Sequence, residues 1–309
     1  MSSGLIAFRD PVVLVMRKLR YGVVHVRPPQ QRVIDYYRRP ESRVTYALLL
    51  GGTRHFGWYP PGSERLPMRT AMRLMEDRVG RALAVPAGAS VLDAGCGRGA
   101  VALHLAAAFG LRVDGVDIVA ADVRGAAHRA ARHRGPGRAR FHVMDYQRLG
   151  FADGSFDGAY TMETLVHAPD PAAVLRELHR VLAAGGRLAL FEYSMAPREA
   201  LTARQRRLFD AITEESAMHA LPGFVHGCFP GLLHAAGFRG VEVRDVSERM
   251  APMLRRLARL LWLPYQLARA AGVQRRLVNA MAAVEADRHR GVWRYNVVTA
   301  AKPYSSATV

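Results

Sequence analysis

The amino-acid sequence predicts an α/β fold in which helices cover a largely parallel β-sheet. Between residues 89 and 191, short apolar runs alternate with longer segments of helical periodicity, the pattern produced by crossover helices between parallel strands. The chain also has 309 residues, 50% of them hydrophobic, which is enough to bury a large core. Disorder is therefore excluded as the general state of the chain.

Seven strands and four main helices follow from this pattern. We expect strands at residues 90–92, 111–116, 140–144, 156–160, 187–193, 239–245 and 293–301. We expect helices at residues 100–109, 122–133, 171–182 and 229–236. Pro171 favours the start of the third of these helices, and Gly185 and Gly186 favour a turn after it.

Two regions lie outside this alternating core. Residues 1–60 contain apolar or aromatic clusters separated by prolines, which predict an N-terminal arm of short helices. Residues 250–290 carry leucines at helical spacing around Pro264, which predict a helical insertion between the last two strands. Residues 61–249 then form the core and residues 291–309 the final strand and tail, within one domain overall.

The chain is strongly basic, but the charge is not concentrated in one segment. There are 44 Lys and Arg residues against 26 Asp and Glu, a formal net charge of +18, and the only lysines are Lys18 and Lys302. We interpret the excess as a solvated basic surface and expect no nucleic-acid partner.

Several features that the sequence lacks bear on where the protein is located in the cell. Charged residues interrupt the apolar runs well before the roughly 20 residues that cross a bilayer, and the first residues lack the pattern of a secretory signal. The two cysteines, Cys96 and Cys228, cannot build a disulfide framework. We therefore expect a cytoplasmic protein that is not integral to a membrane.

A glycine-rich turn follows the first predicted strand. Gly95, Gly97 and Gly99 permit a sharp turn and a close approach of the backbone to a ligand. Taken alone, this spacing also fits a dinucleotide-binding turn. Asp93, two residues before the first glycine, would repel a pyrophosphate but would attract an ammonium group. S-adenosylmethionine carries such a group and no phosphate, so we expect it as the cofactor, without a metal.

Further acidic residues follow the next two strands. Asp117 is placed to accept hydrogen bonds from ribose hydroxyls, and Asp145 can accept one from an adenine amino group that Tyr146 flanks. Each acid alone could equally cap a helix or fill a turn. The predicted cofactor site consists of Asp93, Gly95, Cys96, Gly97, Gly99, Asp117, Ile118, Asp145 and Tyr146.

In motif order and spacing, residues 89–301 resemble the class I S-adenosylmethionine-dependent methyltransferases. Residues 162–171 (METLVHAPDP), 180–182 (RVL) and 191–193 (FEY) resemble the sterol C24-methyltransferase group and related prenyl C-methyltransferases. The resemblance implies a Rossmann-like, seven-stranded class I methyltransferase sheet. Residues 55–59 (HFGWY) depart from the sterol pattern, which argues against a sterol as the acceptor.

The predicted catalytic residues follow the fourth and fifth strands. Glu163, His167 and Glu192 fall at the carboxyl edge, where open α/β sheets bind ligands. An alkene acceptor would form a carbocation, which acids and aromatic rings can stabilise and a base can deprotonate. His167 could instead be a helix-surface residue, and Glu192 a paired structural acid.

Aromatic residues near this edge are candidates for contact with the substrate through cation–π attraction. They are Tyr36, Tyr37, Phe56, Trp58, Tyr59, Tyr193 and Trp262. Each could instead be a packing residue. The leucines of the insertion could likewise face a hydrophobic substrate or pack only on the core. We also expect a homo-oligomer, with the part of the arm before Pro40 docked on a neighbouring subunit.

The sequence thus favours an S-adenosylmethionine-dependent enzyme that methylates an alkene carbon of a prenyl or terpenoid side chain in natural product biosynthesis. Hydride shift, cyclisation or proton loss would follow. Three alternatives remain open at this point. They are an O- or N-methyltransferase of a hydrophobic small molecule, an RNA methyltransferase suggested by the net charge, and a membrane-lipid methyltransferase suggested by the basic amphipathic residues 12–20.

Overall fold

A computed structural model of the chain describes residues 28–304. Its centre is a seven-stranded sheet, which confirms the predicted fold class. The strands are β1 (Ser90–Ala94), β2 (Arg112–Asp117), β3 (Arg138–Val143), β4 (Phe156–Met162), β5 (Leu182–Met195), β6 (Arg239–Asp245) and β7 (Trp293–Ala301). Their order is β3-β2-β1-β4-β5-β7-β6, and only β7 runs antiparallel to its neighbours.

Helices pack on both faces of the sheet and at one edge of it. They are α1 (Pro29–Arg38), α2 (Pro40–Leu50), α3 (Met68–Leu83), α4 (Ala100–Phe109), α5 (Ala120–Ala130), α6 (Pro171–Val181), α7 (Ala203–Glu215), α8 (Cys228–Ala235), α9 (Ser247–Ala270) and α10 (Val278–Arg288). The sequence did not predict α3 or α7. Arginines are interspersed with the buried residues of both helices, which obscures the apolar face in the sequence.

The strand order determines where a ligand can bind. The chain leaves β1 toward β2 on one side, and β4 lies on the other side of β1. Connections therefore diverge above the carboxyl end of β1 and leave a crevice there. The glycine-rich turn closes one wall of this crevice, since the Gly95 and Cys96 backbone N–H groups both donate to the Val116 carbonyl of β2.

The N-terminal arm and the insertion meet above the same edge of the sheet. The insertion, α9 and α10, lies between β6 and β7 as predicted, although α9 begins at Ser247. The Tyr36 and Tyr46 hydroxyls of α1 and α2 both donate to Asn279 Oδ1 of α10, at 2.8 and 3.2 Å. Asn279 Nδ2 donates to Glu41 Oε2 at 2.7 Å. Two regions far apart in the sequence thus form one roof.

Some expectations concern residues outside 28–304. The basic amphipathic segment 12–20 lies outside the described residues. We expected the arm before Pro40 to dock on a neighbouring subunit, and its residues 1–27 also lie outside the described residues. Its described part, α1, packs on its own chain, where Tyr36 and Tyr37 contact Asn279 and His167. Between residues 28 and 304, no helix is long and apolar enough to cross a bilayer.

Candidate active site

Two adjoining cavities lie beneath the roof. The first, of about 90 Å³, lies over the glycine-rich turn and the ends of β1, β2 and β4. It is lined by every residue of the predicted cofactor site except Gly99. The second, of about 170 Å³, lies between the arm, the insertion and the end of β5. Both cavities are lined by Tyr37, Arg54, His55, Glu163 and His167.

The three glycines of the turn have different functions. Gly95 has φ +95°, and a Cβ there would lie 2.6 Å from the Thr164 side chain, so no other residue fits. A Cβ on Gly97 would have only Arg54 Nη1, at 3.9 Å, within reach, which leaves room for a ligand. A Cβ on Gly99 would lie 2.5 Å from the Phe141 ring. Gly99 therefore serves the packing of α4, which corrects our expectation that it contacts the cofactor.

Carboxyl groups surround the first cavity. Burial raises the pKa of Asp93 to about 7 and also raises the pKa of Asp117. The Asp117 carboxylate accepts hydrogen bonds from the Gly97 and Val119 backbone N–H groups at 2.9 and 2.8 Å. Buried acids with raised pKa values suit a positively charged ligand, which would stabilise their ionised forms. The site therefore fits the ammonium and sulfonium groups of S-adenosylmethionine.

The adenine end of the predicted site is also ordered by hydrogen bonds. Asp145 Oδ1 accepts from the Gln147 backbone N–H at 2.9 Å, and the Tyr146 hydroxyl donates to the Thr164 carbonyl at 3.1 Å. Tyr146 and Ile118 both line the cavity, so they can enclose a planar ring from the sides of β2 and β3.

Sequence analysis missed Arg54, which contacts both cavities. Its guanidinium forms an ion pair with Asp122 at 2.7 Å and lies 4.3 Å from the centre of the Tyr37 ring. This contact attaches the arm to the cofactor site. No local signal marks Arg54 among the many arginines of the chain, because it lies in a loop after α2 and meets its partners only in the folded protein.

The second cavity is mainly apolar and aromatic. The structure brings four of the predicted substrate residues to it, namely Tyr36, Tyr37, Phe56 and Tyr193. Apolar side chains of α9, including Leu254, Leu257 and Leu261, complete one wall. Tyr46 and Phe209, which sequence analysis did not single out, also line it.

Glu163 lies where the two cavities meet. Its backbone has φ +56°, an uncommon conformation for a residue with a side chain, and such strain is often found at functional sites. Its carboxylate accepts hydrogen bonds from the Phe56 backbone N–H at 2.8 Å, from the Tyr295 hydroxyl at 2.9 Å and from the Tyr193 hydroxyl. Burial raises the pKa of Glu163, and these donors oppose that shift. Sequence analysis missed Tyr295, which comes from β7.

His167 faces the same junction. Its Nδ1 lies 3.0 Å from the Ala217 carbonyl, which can only accept a hydrogen bond, so Nδ1 carries the proton. Its Nε2 then accepts a hydrogen bond from the Tyr37 hydroxyl at 2.9 Å. Burial lowers the pKa of His167 to about 4, so the ring is neutral at physiological pH.

Glu192, the third predicted catalytic residue, lines neither cavity. Its Oε1 accepts hydrogen bonds from the Thr161 hydroxyl and from the Thr164 and Leu165 backbone N–H groups, at 2.8 to 3.1 Å. Burial raises its pKa to about 7. Because these contacts hold the turn that carries Glu163, the placement of Glu192 is that of a positioning residue, which corrects the catalytic expectation.

Three of the predicted substrate residues do not reach the second cavity. Trp58 stacks under the Arg78 guanidinium, 4.4 Å from its ring centre, and Tyr59 is buried beside Arg256. Trp262 is 50% exposed, because successive helical residues point about 100° apart and Leu261 takes the cavity side of α9. The structure therefore corrects the substrate expectation for Trp58, Tyr59 and Trp262.

Comparison with known proteins identifies the family. Residues 91–186 match the family described as "Methyltransferase domain". The chain is 36% identical over 280 residues to the S-adenosyl-L-methionine-dependent Diels-Alderase iccD of Talaromyces variabilis, covering 89% of this chain and 96% of that protein. It is 32% identical over 222 residues to the methyltransferase GfsG of Streptomyces halstedii, covering 72% and 78%.

The fold also matches a crystal structure of the [4+2]-cyclase SpnF. The TM-score is 0.72 with 26% sequence identity, and the match covers 91% of this chain and 99% of SpnF. The fold, the acidic first cavity and these relatives agree with one another. The chain belongs to the class I S-adenosylmethionine-dependent methyltransferase family, whose cofactor is S-adenosylmethionine.

Proposed function

We propose that the protein methylates an electron-rich alkene carbon in the isoprenoid side chain of a hydrophobic small molecule. The observation that carries this proposal is the second cavity, which is aromatic and apolar and joins the cofactor cavity at Glu163 and His167. When bound, S-adenosylmethionine supplies an electrophilic methyl group. The shared wall is therefore where an acceptor carbon would meet it.

Glu163 and the surrounding rings can stabilise positive charge on the substrate. An alkene that gains a methyl group at one carbon becomes cationic at its neighbour. Each of the three hydrogen bonds to Glu163 is donated to its carboxyl oxygens, which suits an ionised carboxylate. Tyr37, Phe56 and Tyr193 present aromatic rings to the same space. A carboxylate and aromatic faces are the groups that such a cation requires.

Tyr37 and His167 provide a route for the proton that the cation releases. The Tyr37 oxygen can accept this proton as its own proton passes to His167 Nε2, along the 2.9 Å hydrogen bond. The lowered pKa of His167 makes it a weak base, but a carbocation is so strong an acid that a weak base is sufficient.

The test uses methyl-labelled cofactor and a panel of prenylated compounds, each paired with an analogue whose side chain is saturated. The panel includes a prenyl-derived arm on an indolactam, the acceptor that a relationship to the teleocidin C-methyltransferase would imply. We expect the label on carbon and only with the alkene. Label on oxygen or nitrogen, with the saturated analogue as active as the alkene, would contradict the proposal and favour an O- or N-methyltransferase.

A second candidate is a cyclase that uses the cofactor without consuming it. It is supported by the similarity to iccD, a Diels-Alderase, and to SpnF, a [4+2]-cyclase. An apolar cavity that encloses a flexible substrate could hold its two reacting ends together. In this case the carboxyl group of Glu163 and the hydroxyl of Tyr37 would orient the substrate by hydrogen bonds.

The fate of the cofactor distinguishes the two candidate functions. A cyclase should convert a substrate that contains a diene and a dienophile into a product of equal mass. It should do so repeatedly with S-adenosylmethionine that stays intact. Methyl transfer instead forms one S-adenosylhomocysteine for each product, and each product gains the mass of a methylene.

We also propose that the protein is a cytoplasmic homo-oligomer assembled through the arm. Support for the location comes from Cys96 and Cys228, which are both free thiols. Support for the assembly is the series of proline joints that separates the arm from the core. Light scattering before and after deletion of residues 1–27 tests the assembly, and an unchanged number of subunits would count against it.

A further inference from the structure

Helix α9 has two apolar faces. Its inner face, with Leu254, Leu257 and Leu261, lines the second cavity. Its outer face exposes Leu260, Leu263 and Leu267 by 57, 58 and 63%. These three positions are spaced i, i+3 and i+7, so they form a single stripe along the helix. An exposed stripe of this kind marks an interaction surface more often than scattered apolar residues do.

A row of basic and aromatic residues runs beside this stripe. Arg255, Trp262 and Arg269 are seven residues apart, so they lie along one line of the helix. Arg259 lies one turn before Leu263 at the border of the stripe. Within residues 28–304, none of these three arginines forms an ion pair.

The charge of α9 after Glu248 is entirely positive. Residues 249–284 contain seven arginines and no aspartate or glutamate. A hollow next to the helix is also bordered by Arg204, Arg207, Arg269 and Arg275, and it contains the buried Glu285. Of these arginines, Arg275 forms ion pairs with Glu214 and Glu215. Exposed leucines, an exposed tryptophan and three arginines without an ion pair among residues 28–304 together match the composition of a helix that lies in the plane of an anionic bilayer.

We propose that the outer face of α9 docks the protein on an anionic lipid bilayer. Leu260, Leu263 and Leu267 enter the boundary between headgroups and acyl chains, Trp262 lies at that boundary, and the arginines contact phosphate groups. The opposite face of the same helix lines the second cavity, so docking brings that cavity close to apolar molecules dissolved in the bilayer. The docking surface itself does not depend on the reaction that we propose.

Flotation with vesicles tests this proposal directly. We expect the full chain to float with vesicles of phosphatidylcholine that contain roughly one-third phosphatidylglycerol and to float far less with phosphatidylcholine alone. Raising the salt concentration should reduce the bound fraction, because it screens the arginines. Equal binding to both kinds of vesicle would contradict the proposal.

Substitutions locate the binding face. The combined Leu260→Gln, Leu263→Gln and Leu267→Gln variant should lose about tenfold or more in vesicle partitioning. It should bind S-adenosylhomocysteine normally, which shows that it is folded. The matched control is Val44→Gln with Leu48→Gln, since these residues are 54 and 78% exposed on α2 and should leave partitioning unchanged. Equal partitioning of the wild type and the triple leucine variant would overturn the proposal.

Two double variants that remove the same charge provide a second measurement of vesicle binding. Arg259→Gln with Arg269→Gln should reduce binding to anionic vesicles severalfold. Arg138→Gln with Arg140→Gln, on the exposed edge strand β3, removes the same charge and should have little effect. Equal losses from both pairs would attribute binding to net charge alone and contradict the proposal. A dimer that the leucine substitutions dissociate, without vesicle binding, would instead assign the face to a second copy of the chain.

Discussion

The two cavities differ in how the chain forms them. The cofactor cavity is formed largely by the short segments that follow β1, β2, β3 and β4, and the arm contributes a further wall. The second cavity is formed by the arm, α7, α9, α10 and β5, which span most of the described chain. This difference indicates that cofactor binding depends mainly on local turns, whereas substrate binding depends mainly on long-range packing.

Glu163 lines both cavities. Its strained backbone follows β4, but its hydrogen-bond partners come from the arm, β5 and β7. A change at Glu163 should therefore affect the reaction without disturbing the cofactor turn. Variants that damage one cavity and leave the other intact can test this separation.

The largest expected effect is that of Glu163→Gln. Loss of the negative charge at the junction should reduce turnover of the accepted substrate by about 10²- to 10⁴-fold, while the affinity for S-adenosylhomocysteine changes little. The matched control is Glu192→Gln, which keeps an acceptor for the turn after β4 and should remain active within about tenfold. Equal losses in the two variants would refute the distinction between them.

The pH dependence of the unfolding free energy should reveal the lowered pKa of His167. Its pKa of about 4 lies below the value of about 6.5 in the unfolded chain. The stability that it contributes is fully present above pH 6.5 and is lost as the pH falls toward 4, because the unfolded chain binds the proton more readily. Asp93 and Glu192, with pKa values near 7, act in the opposite direction.

Comparison with His167→Gln isolates this contribution. Between pH 7 and pH 4.5, the wild type should lose about 2–3 kcal/mol more in unfolding free energy than the variant, as measured by urea titration. The same loss in both proteins would show that burial does not lower the pKa of His167 in the folded protein. Turnover of His167→Gln should fall, while its affinity for the cofactor should hardly change.

Cofactor affinity should respond to Asp117. Asp117→Ala removes the acceptor for ribose hydroxyls and for two backbone N–H groups, so we expect S-adenosylhomocysteine binding to weaken by about 1–3 kcal/mol in calorimetry. Addition of a chelator should leave binding unchanged. Asp210→Ala, at an exposed ion pair with Arg198, is the control and should bind normally. An unaltered affinity in Asp117→Ala would remove the basis for the ribose assignment.

The smallest effect is expected for Trp262→Ala. Since Trp262 faces outward from α9, turnover of a freely dissolved substrate should stay within about twofold of the wild type. Phe56→Ala, which truncates a ring that lines the second cavity, should reduce turnover more. A larger loss of turnover in Trp262→Ala than in Phe56→Ala would indicate that Trp262 contacts the substrate.

The sequence predicted the sheet and the cofactor turn because their signals are local. All seven strands form, and the ends of β6 and β7 match the expected residues 239–245 and 293–301. By contrast, Gly99 could not be distinguished from Gly97 in the sequence, since only the folded chain brings the Phe141 ring against it. Arg54 and Tyr295 escaped prediction for the same reason, because their partners are distant in the chain.

The proposed function depends on methyl transfer to carbon at the junction of the two cavities. The most direct measurement is the ratio of S-adenosylhomocysteine to product with a prenylated alkene substrate. We expect one S-adenosylhomocysteine for each product and a new carbon–methyl bond at the former alkene. Conversion of the substrate to an isomer of equal mass, with S-adenosylmethionine left intact, would contradict methyl transfer and assign the second cavity to a cyclase.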